Sequence, residues 1–153
     1  MDLQAKLRAR REAWTDEEDV LPVPGYGDEL YARYKDTSWS TFRAVAGNAA
    51  LNALGTAVPA AKEVEAAAKM LLEANVGMEA HVDGQVAPIL HDGVPVKMGL
   101  SLAAFLGIEG AETDQQAIHL IFHREKDLMS HAMALVAVQE GREDEAEGSI
   151  RGN

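Results

Sequence analysis

The sequence predicts a mainly α fold with a small β component: a compact helical domain with an N-terminal β-hairpin and flexible ends. Alanine is abundant and aromatic residues are only 5% of the 153 residues, which favours closely packed helices over a large aromatic core. Beyond residue 36 apolar residues recur mostly at helical spacing, whereas residues 19–36 contain two prolines and alternate with period two. A chain of this length accommodates one domain.

The two ends of the chain differ in composition from its middle. Residues 1–18 combine helix formers, basic residues and the start of an acidic run, and they predict a flexible arm that is either solvated or folds on a partner. Residues 141–153, "GREDEAEGSIRGN", are polar and acidic and predict a disordered tail. A single helical domain is expected between them, at 19–140.

Residues 19–36 predict the hairpin. Pro22 and Pro24 cannot donate hydrogen bonds to a sheet, so the first strand is expected to be short or at an edge. "PGYGD" supplies two glycines for a tight connection. The second strand, "ELYARYK", alternates between two faces. Its inward positions are Leu30, Ala32 and Tyr34, and its outward positions are Tyr31, Arg33 and Lys35.

The remainder is expected to be helical apart from one more hairpin. A helix is predicted from Thr37 or Ser38 to Gly55, and a second over 59–77, ending at Gly77. Asp83-Gly84 lies between two short apolar runs and predicts a β-turn.

The C-terminal half carries weaker signals until its last helix. Residues 91–100 are expected to form a loop, and Ser101 is expected to cap a brief helix. Thr113 and Gln116 have capping-box spacing at the start of a helix that runs to Gly141. That helix is either continuous or broken near 124–127.

Composition excludes several function classes. A formal net charge of −11 opposes non-specific binding to nucleic acid or to an anionic membrane. With no cysteine, disulfides and thiolate metal sites are excluded. The sequence contains no apolar run long enough for a membrane span and no signal peptide at its N-terminus, so an intracellular, soluble protein is expected.

A histidine row is the strongest candidate for a metal site. His119, His123, Asp127 and His131 are each four residues apart, and two histidines at this spacing share one face of a helix. On a continuous helix, however, these residues fall opposite the apolar stripe and drift by about 40° per step. A solvated polar face is therefore expected, with no metal bound; zinc would require further ligands such as His81 or His91.

Other motifs do not specify an enzyme. "HVDG" and "HDG" place a histidine near an aspartate, but Asp-Gly is primarily a turn sequence. "GYG" lacks the spacing of a phosphate-binding loop, and no G-x-S-x-G nucleophile motif occurs. We therefore predict no catalytic residues, no cofactor and no enzymatic activity.

Aromatic residues cluster near the hairpin and are the candidate partner-binding residues. Five of the eight aromatics lie within 17 residues: Tyr26, Tyr31, Tyr34, Trp39 and Phe42. Aromatic side chains are favoured interface anchors because they offer a large contact area at low entropic cost. The alternative is that they pack the hairpin onto the helices.

The order of these segments resembles the tail assembly chaperones of siphovirus-type bacteriophages, particularly those that infect actinobacteria. The resemblance covers most of the chain. Its segments are "MDLQAKLRARR", "PGYGDELYARYK", "LSLAAFLGI", "AIHLIF", the charged break "HREKDL", "SHAMALVAVQEG" and the acidic end.

The resemblance implies a mainly helical, non-enzymatic chaperone of the host cytoplasm that is absent from the mature virion. Its implied client is the tape measure protein before tail polymerisation, with tail tube subunits as a second client. It further implies a longer frameshifted form of the same chain as a partner, and homo-oligomers are compatible with it. The alternative function is a virion component, such as a head-tail connector or minor capsid protein.

Overall fold

A computed structural model describes residues 2–36 and 61–151 of the chain. The helices there are α1 (Leu3–Asp16), α2 (Ala61–Ala74), α3 (Leu100–Phe105), α4 (Asp114–Ile121) and α5 (Glu125–Arg151). The strands are β1 (Glu18–Pro22), β2 (Leu30–Lys35), β3 (Asn75–Val82), β4 (Gln85–Pro88), β5 (Leu90–His91) and β6 (Val94–Pro95). The helix predicted between Thr37 and Gly55 lies outside the described residues.

The prediction of a mainly α fold is wrong, since the described residues form a mixed α/β structure. Strands β1 to β4 make a four-stranded antiparallel sheet in the order β1-β2-β3-β4, and β5 pairs with β6 in a second, two-stranded sheet. The first pair is the hairpin expected near the N-terminus, with Val20 opposite Arg33 and Pro22 opposite Tyr31.

Strand β3 is the main feature that the sequence reading missed. The predicted helix over 59–77 ends at Ala74, and the next eight residues are a strand. Asn75 fixes this change of structure, because its side-chain nitrogen donates to the carbonyls of Arg33 and Gly77, both at 3.1 Å. Its side-chain oxygen accepts from the Met98 amide at 2.8 Å. One buried amide side chain therefore joins β2, β3 and the segment before α3.

Two Asp-Gly pairs form turns of the same kind. Asp83 and Gly84 join β3 to β4 with φ of 52° and 77°, as the sequence predicts. Asp92 and Gly93 join β5 to β6 with φ of 51° and 78°, although a loop was expected there. Two successive residues with positive φ are characteristic of the tight hairpin turns that Asp-Gly favours.

The last two helices are separated at Phe122, where the backbone is extended with ψ 136°. The N-terminus of α4 is capped as expected, because the Thr113 hydroxyl accepts from the Gln116 amide at 3.1 Å. Helix α5 then continues to Arg151, whereas a disordered tail was expected from Gly141. Ala, Glu and Arg favour helices, and a helical glycine costs only about 1 kcal/mol.

The core lies between one face of the four-stranded sheet and three helices. Helix α2 contacts α4, α5 and β2, while α5 also contacts β1. The inward positions predicted for β2 are confirmed, because Leu30, Ala32 and Tyr34 are buried. The opposite side of the sheet is open to solvent or only half-buried.

Candidate partner-binding face

The face of the sheet that points away from the helices is the most distinctive surface of the described structure. We call it the outer sheet face. It comprises Val20, Pro22, Tyr31, Arg33, Glu79, His81, Val86 and Pro88. Residues opposite one another on paired antiparallel strands point to the same side. One continuous row therefore crosses all four strands, with Pro22 opposite Tyr31, Tyr31 opposite Glu79, and Glu79 opposite Pro88.

A stacked ring pair lies at the centre of this face. The rings of Tyr31 and His81 have centroids 3.7 Å apart and planes inclined by 18°. Stacking reduces the rotamer freedom of both side chains, so less entropy remains to be lost when a partner covers them. Val86, opposite His81 on β4, is 60% exposed and extends the apolar surface beside the pair.

A row of polar groups, with Arg33 between Glu18 and Glu79, runs beside the stacked rings. Arg33 lies 3.4 Å from a Glu18 oxygen and 3.7 Å from a Glu79 oxygen, and the other Glu79 oxygen lies 3.1 Å from His81 Nε2. All four groups are partly exposed, so the pairs contribute little to stability. Their effect is to fix the positions of polar groups around the stacked rings.

Gly77 allows the Arg33 side chain to lie across β3. A Cβ atom at position 77 would come within 2.4 Å of Arg33 Nη2, so any larger residue displaces the guanidinium. Gly77 was predicted to end a helix, and the space that this glycine gives to Arg33 in the sheet was not predicted. The signal that was available is the β-strand pattern of "VGMEAHV", whose alternate residues Gly77, Glu79 and His81 share one face.

The predicted partner-binding residues do not form one surface. Tyr31 is half-buried on the outer sheet face, whereas Tyr34 is fully buried on the opposite side and is unavailable to a partner. Tyr26 is partly buried at the hairpin turn, where its hydroxyl donates to the Ile121 carbonyl at the end of α4. Trp39 and Phe42 lie outside the described residues.

Tyr26 also borders a cavity of about 440 Å³ between the hairpin turn and the α4–α5 break. Partial burial raises the pKa of its hydroxyl, so this group remains a hydrogen-bond donor at neutral pH. His123, Arg124 and Asp127 line the outer part of the same cavity. Arg124 and Asp127 pair with each other at 3.3 Å. Their charges therefore compensate each other and do not select a charged ligand.

The histidine row is divided by the structure. His119 and His123 are exposed, as expected for a solvated face. His131, which the drift of about 40° per step turns away from His119, does not belong to a solvated face as expected: it is 2% exposed and contacts Tyr34. Across residues 2–36 and 61–151, no group of three or more His, Asp or Glu side chains is arranged to hold a metal ion.

Comparisons with protein families, with curated proteins and with solved structures find no match to this chain. In the part of the chain that the structure describes, no helix is both long enough and apolar enough to cross a bilayer.

Proposed function

We propose that this protein is a non-enzymatic assembly chaperone of the phage tail type, which binds the tape measure protein before the tail polymerises. The outer sheet face is the observation that carries the proposal. It presents a stacked Tyr31–His81 pair, exposed Val20 and Val86, and a fixed row of charges on a surface without a covering helix in the described chain.

This surface has the composition expected of a protein-binding site. Aromatic and arginine side chains dominate the energetics of protein interfaces, and surrounding polar groups set the orientation of the partner. Exposed Val86 and Pro88 lie on β4, at the edge of the sheet. An apolar client segment can contact the rings and valines while its polar groups meet Arg33 and Glu79.

The acidic charge of the chain supports a holding function. A net charge of −11 keeps a complex with an aggregation-prone client soluble. The proposed client comes from the resemblance to tail assembly chaperones. One of the segments that carry this resemblance, "PGYGDELYARYK", includes Tyr31 and Arg33 of the outer sheet face. The mainly helical fold implied by that resemblance does not hold for this chain, so the proposal rests on the segment order and on the outer sheet face.

Co-expression tests the proposed client. A candidate tape measure protein should be recovered in soluble form with tagged wild-type protein, and should precipitate when it is expressed alone. Recovery of equal soluble tape measure protein with and without this chain would overturn the proposal.

Particle composition tests the proposed role after assembly. A chaperone should be absent from purified virions by mass spectrometry, although it is present in infected-cell lysate. Detection of stoichiometric amounts in virions would instead support a structural virion component such as a head-tail connector.

A further inference from the structure

Helix α1 has an apolar face without a partner in the described structure. Every residue from 2 to 13 is exposed, and Leu3 and Leu7 are 68% and 56% exposed. The two leucines are four residues apart and therefore adjacent on one side of the helix. Arg10 and Arg11 lie three and four residues after Leu7, so they are on the same side of the helix, one turn further towards its C-terminus.

Helix α1 is regular and capped, although its residues 2–13 are exposed. Asp2 caps it, with its side chain accepting from the Gln4 amide at 3.3 Å. An isolated helix of 14 residues is only marginally stable in water, because most helical stability in proteins comes from packing of an apolar face. Contact with a second molecule would supply that packing.

Charge identifies the second molecule. Residues 2–13 carry four cations and two carboxylates, whereas the whole chain has a net charge of −11, so the rest of the chain is strongly acidic. A basic helix on an acidic body is electrostatically complementary to another copy of the same chain.

A matching surface lies on α5. Ala134, Ala137, Val138 and Gly141 are exposed and recur at helical spacing, and Val138 is 37% exposed. Small residues let another helix approach closely enough for leucines to make contact.

We infer that α1 of one copy docks on the exposed face of α5 of a second copy. Leu3 and Leu7 contact the side that bears Val138, and the cations of α1 meet the strongly acidic body of the second copy. Because α1 and α5 are different surfaces, each copy can both donate its α1 and accept the α1 of another copy. Two copies that exchange α1 reciprocally form a closed two-fold dimer, whereas any other arrangement gives a head-to-tail contact.

The absence of cysteine from the chain permits a direct test of this contact. Leu7→Cys and Val138→Cys proteins with different tags are mixed and oxidised, and a mixed disulfide dimer is expected. Val94→Cys is the matched control, since Val94 is 63% exposed on β6. The inference is overturned if Leu7→Cys pairs with Val138→Cys no faster than with Val94→Cys.

Sedimentation of charge variants provides an independent measurement. Arg10→Glu with Arg11→Glu should weaken self-association about tenfold at low salt. A wild-type protein that remains monomeric, or an oligomer unaffected by these changes, contradicts the inference. No client is present in either experiment, so the result is independent of the proposed chaperone function.

Discussion

The Tyr34 hydroxyl lies 2.7 Å from Nε2 of His131, and both side chains are buried. Burial lowers the pKa of His131 to about 4, while a hydrogen bond to the Pro22 carbonyl acts in the opposite direction. Burial also raises the pKa of Tyr34. Neutral His131 therefore donates from one ring nitrogen to β1 and accepts from Tyr34 of β2 at the other. This ring joins α5 to both strands of the N-terminal hairpin.

The first prediction is that acid destabilises the fold through His131. Its pKa is about 4 in the folded chain against the ordinary 6.5, so the unfolded chain binds more protons between these values. The free energy of unfolding should therefore fall as the pH drops from about 6.5 through about 4, by about 3 kcal/mol from this group. Denaturant unfolding at a series of pH values measures the loss.

The control must remove His131 without leaving the buried Tyr34 hydroxyl unpaired. The Tyr34→Phe, His131→Leu double variant replaces both partners by apolar side chains, while every carboxylate still titrates. Its unfolding free energy should lack the loss attributed to His131. If the double variant shows the same pH dependence as the wild type, the effect belongs to other groups.

A second prediction concerns the hydrogen bond itself. Tyr34→Phe leaves His131 Nε2 buried without its donor, which should cost about 1–3 kcal/mol of unfolding free energy at pH 7.5. The double variant with His131→Leu should recover part of this cost, because the buried imidazole is then absent. The Pro22 carbonyl loses its donor in this variant, but Pro22 is an exposed residue. Urea unfolding of the three proteins forms the comparison. A single variant as stable as wild type would show that the bond contributes nothing.

Helix geometry accounts for the burial of His131, although the histidine row was expected to form a solvated face. On one continuous helix His131 lies about 120° around the axis from His119. The apolar stripe keeps its phase across the extended backbone at Phe122, because Ile118 before it and Leu128 and Leu135 after it are all buried. His131 lies three residues after Leu128 and four before Leu135, so it borders this buried stripe rather than the exposed side that bears His119.

The hairpin could be predicted from the sequence because the residues that determine it are close together in the chain. Alternation in "ELYARYK" and the glycines of the turn determine both strands and their inward side. Strand β3 was not readable in the same way, because "EAAAKMLLEA" strongly favours a helix and runs directly into it. The helix stops where the Asn75 side chain bonds to β2 and to Met98. These are long-range contacts that spacing alone does not reveal, and the outer sheet face depends on them.

The third prediction tests the interpretation of the exposed histidines. Replacing His119 and His123 with Gln should change the melting temperature by no more than about 2 °C, since exposed substitutions usually alter stability by less than about 0.5 kcal/mol. Metal analysis of the purified wild-type protein accompanies the melts. Stoichiometric zinc that is lost in the double variant would establish a metal site and contradict the assignment.

The last prediction separates stability from client binding on the two sides of β2. Leu30 is 6% exposed and faces the core, so Leu30→Ala should lower the unfolding free energy by about 2–4 kcal/mol. Tyr31, the next residue, lies on the outer sheet face, and Tyr31→Ala should change stability by less than about 1 kcal/mol. It should nevertheless weaken capture of the tape measure protein by about 1–2 kcal/mol, as expected for a moderate interface anchor.

Gly77→Ala provides a matched variant that leaves Tyr31 in place. The added Cβ displaces the Arg33 guanidinium from β3, and its stability cost should be small, because the ion pairs of Arg33 are partly exposed and alanine is less flexible than glycine in the unfolded chain. If the outer sheet face binds the client, both Tyr31→Ala and Gly77→Ala should reduce capture in pull-downs while melting normally. If Tyr31→Ala unfolds the protein, the ring is structural. If both variants capture the client as well as wild type does, the binding surface lies elsewhere.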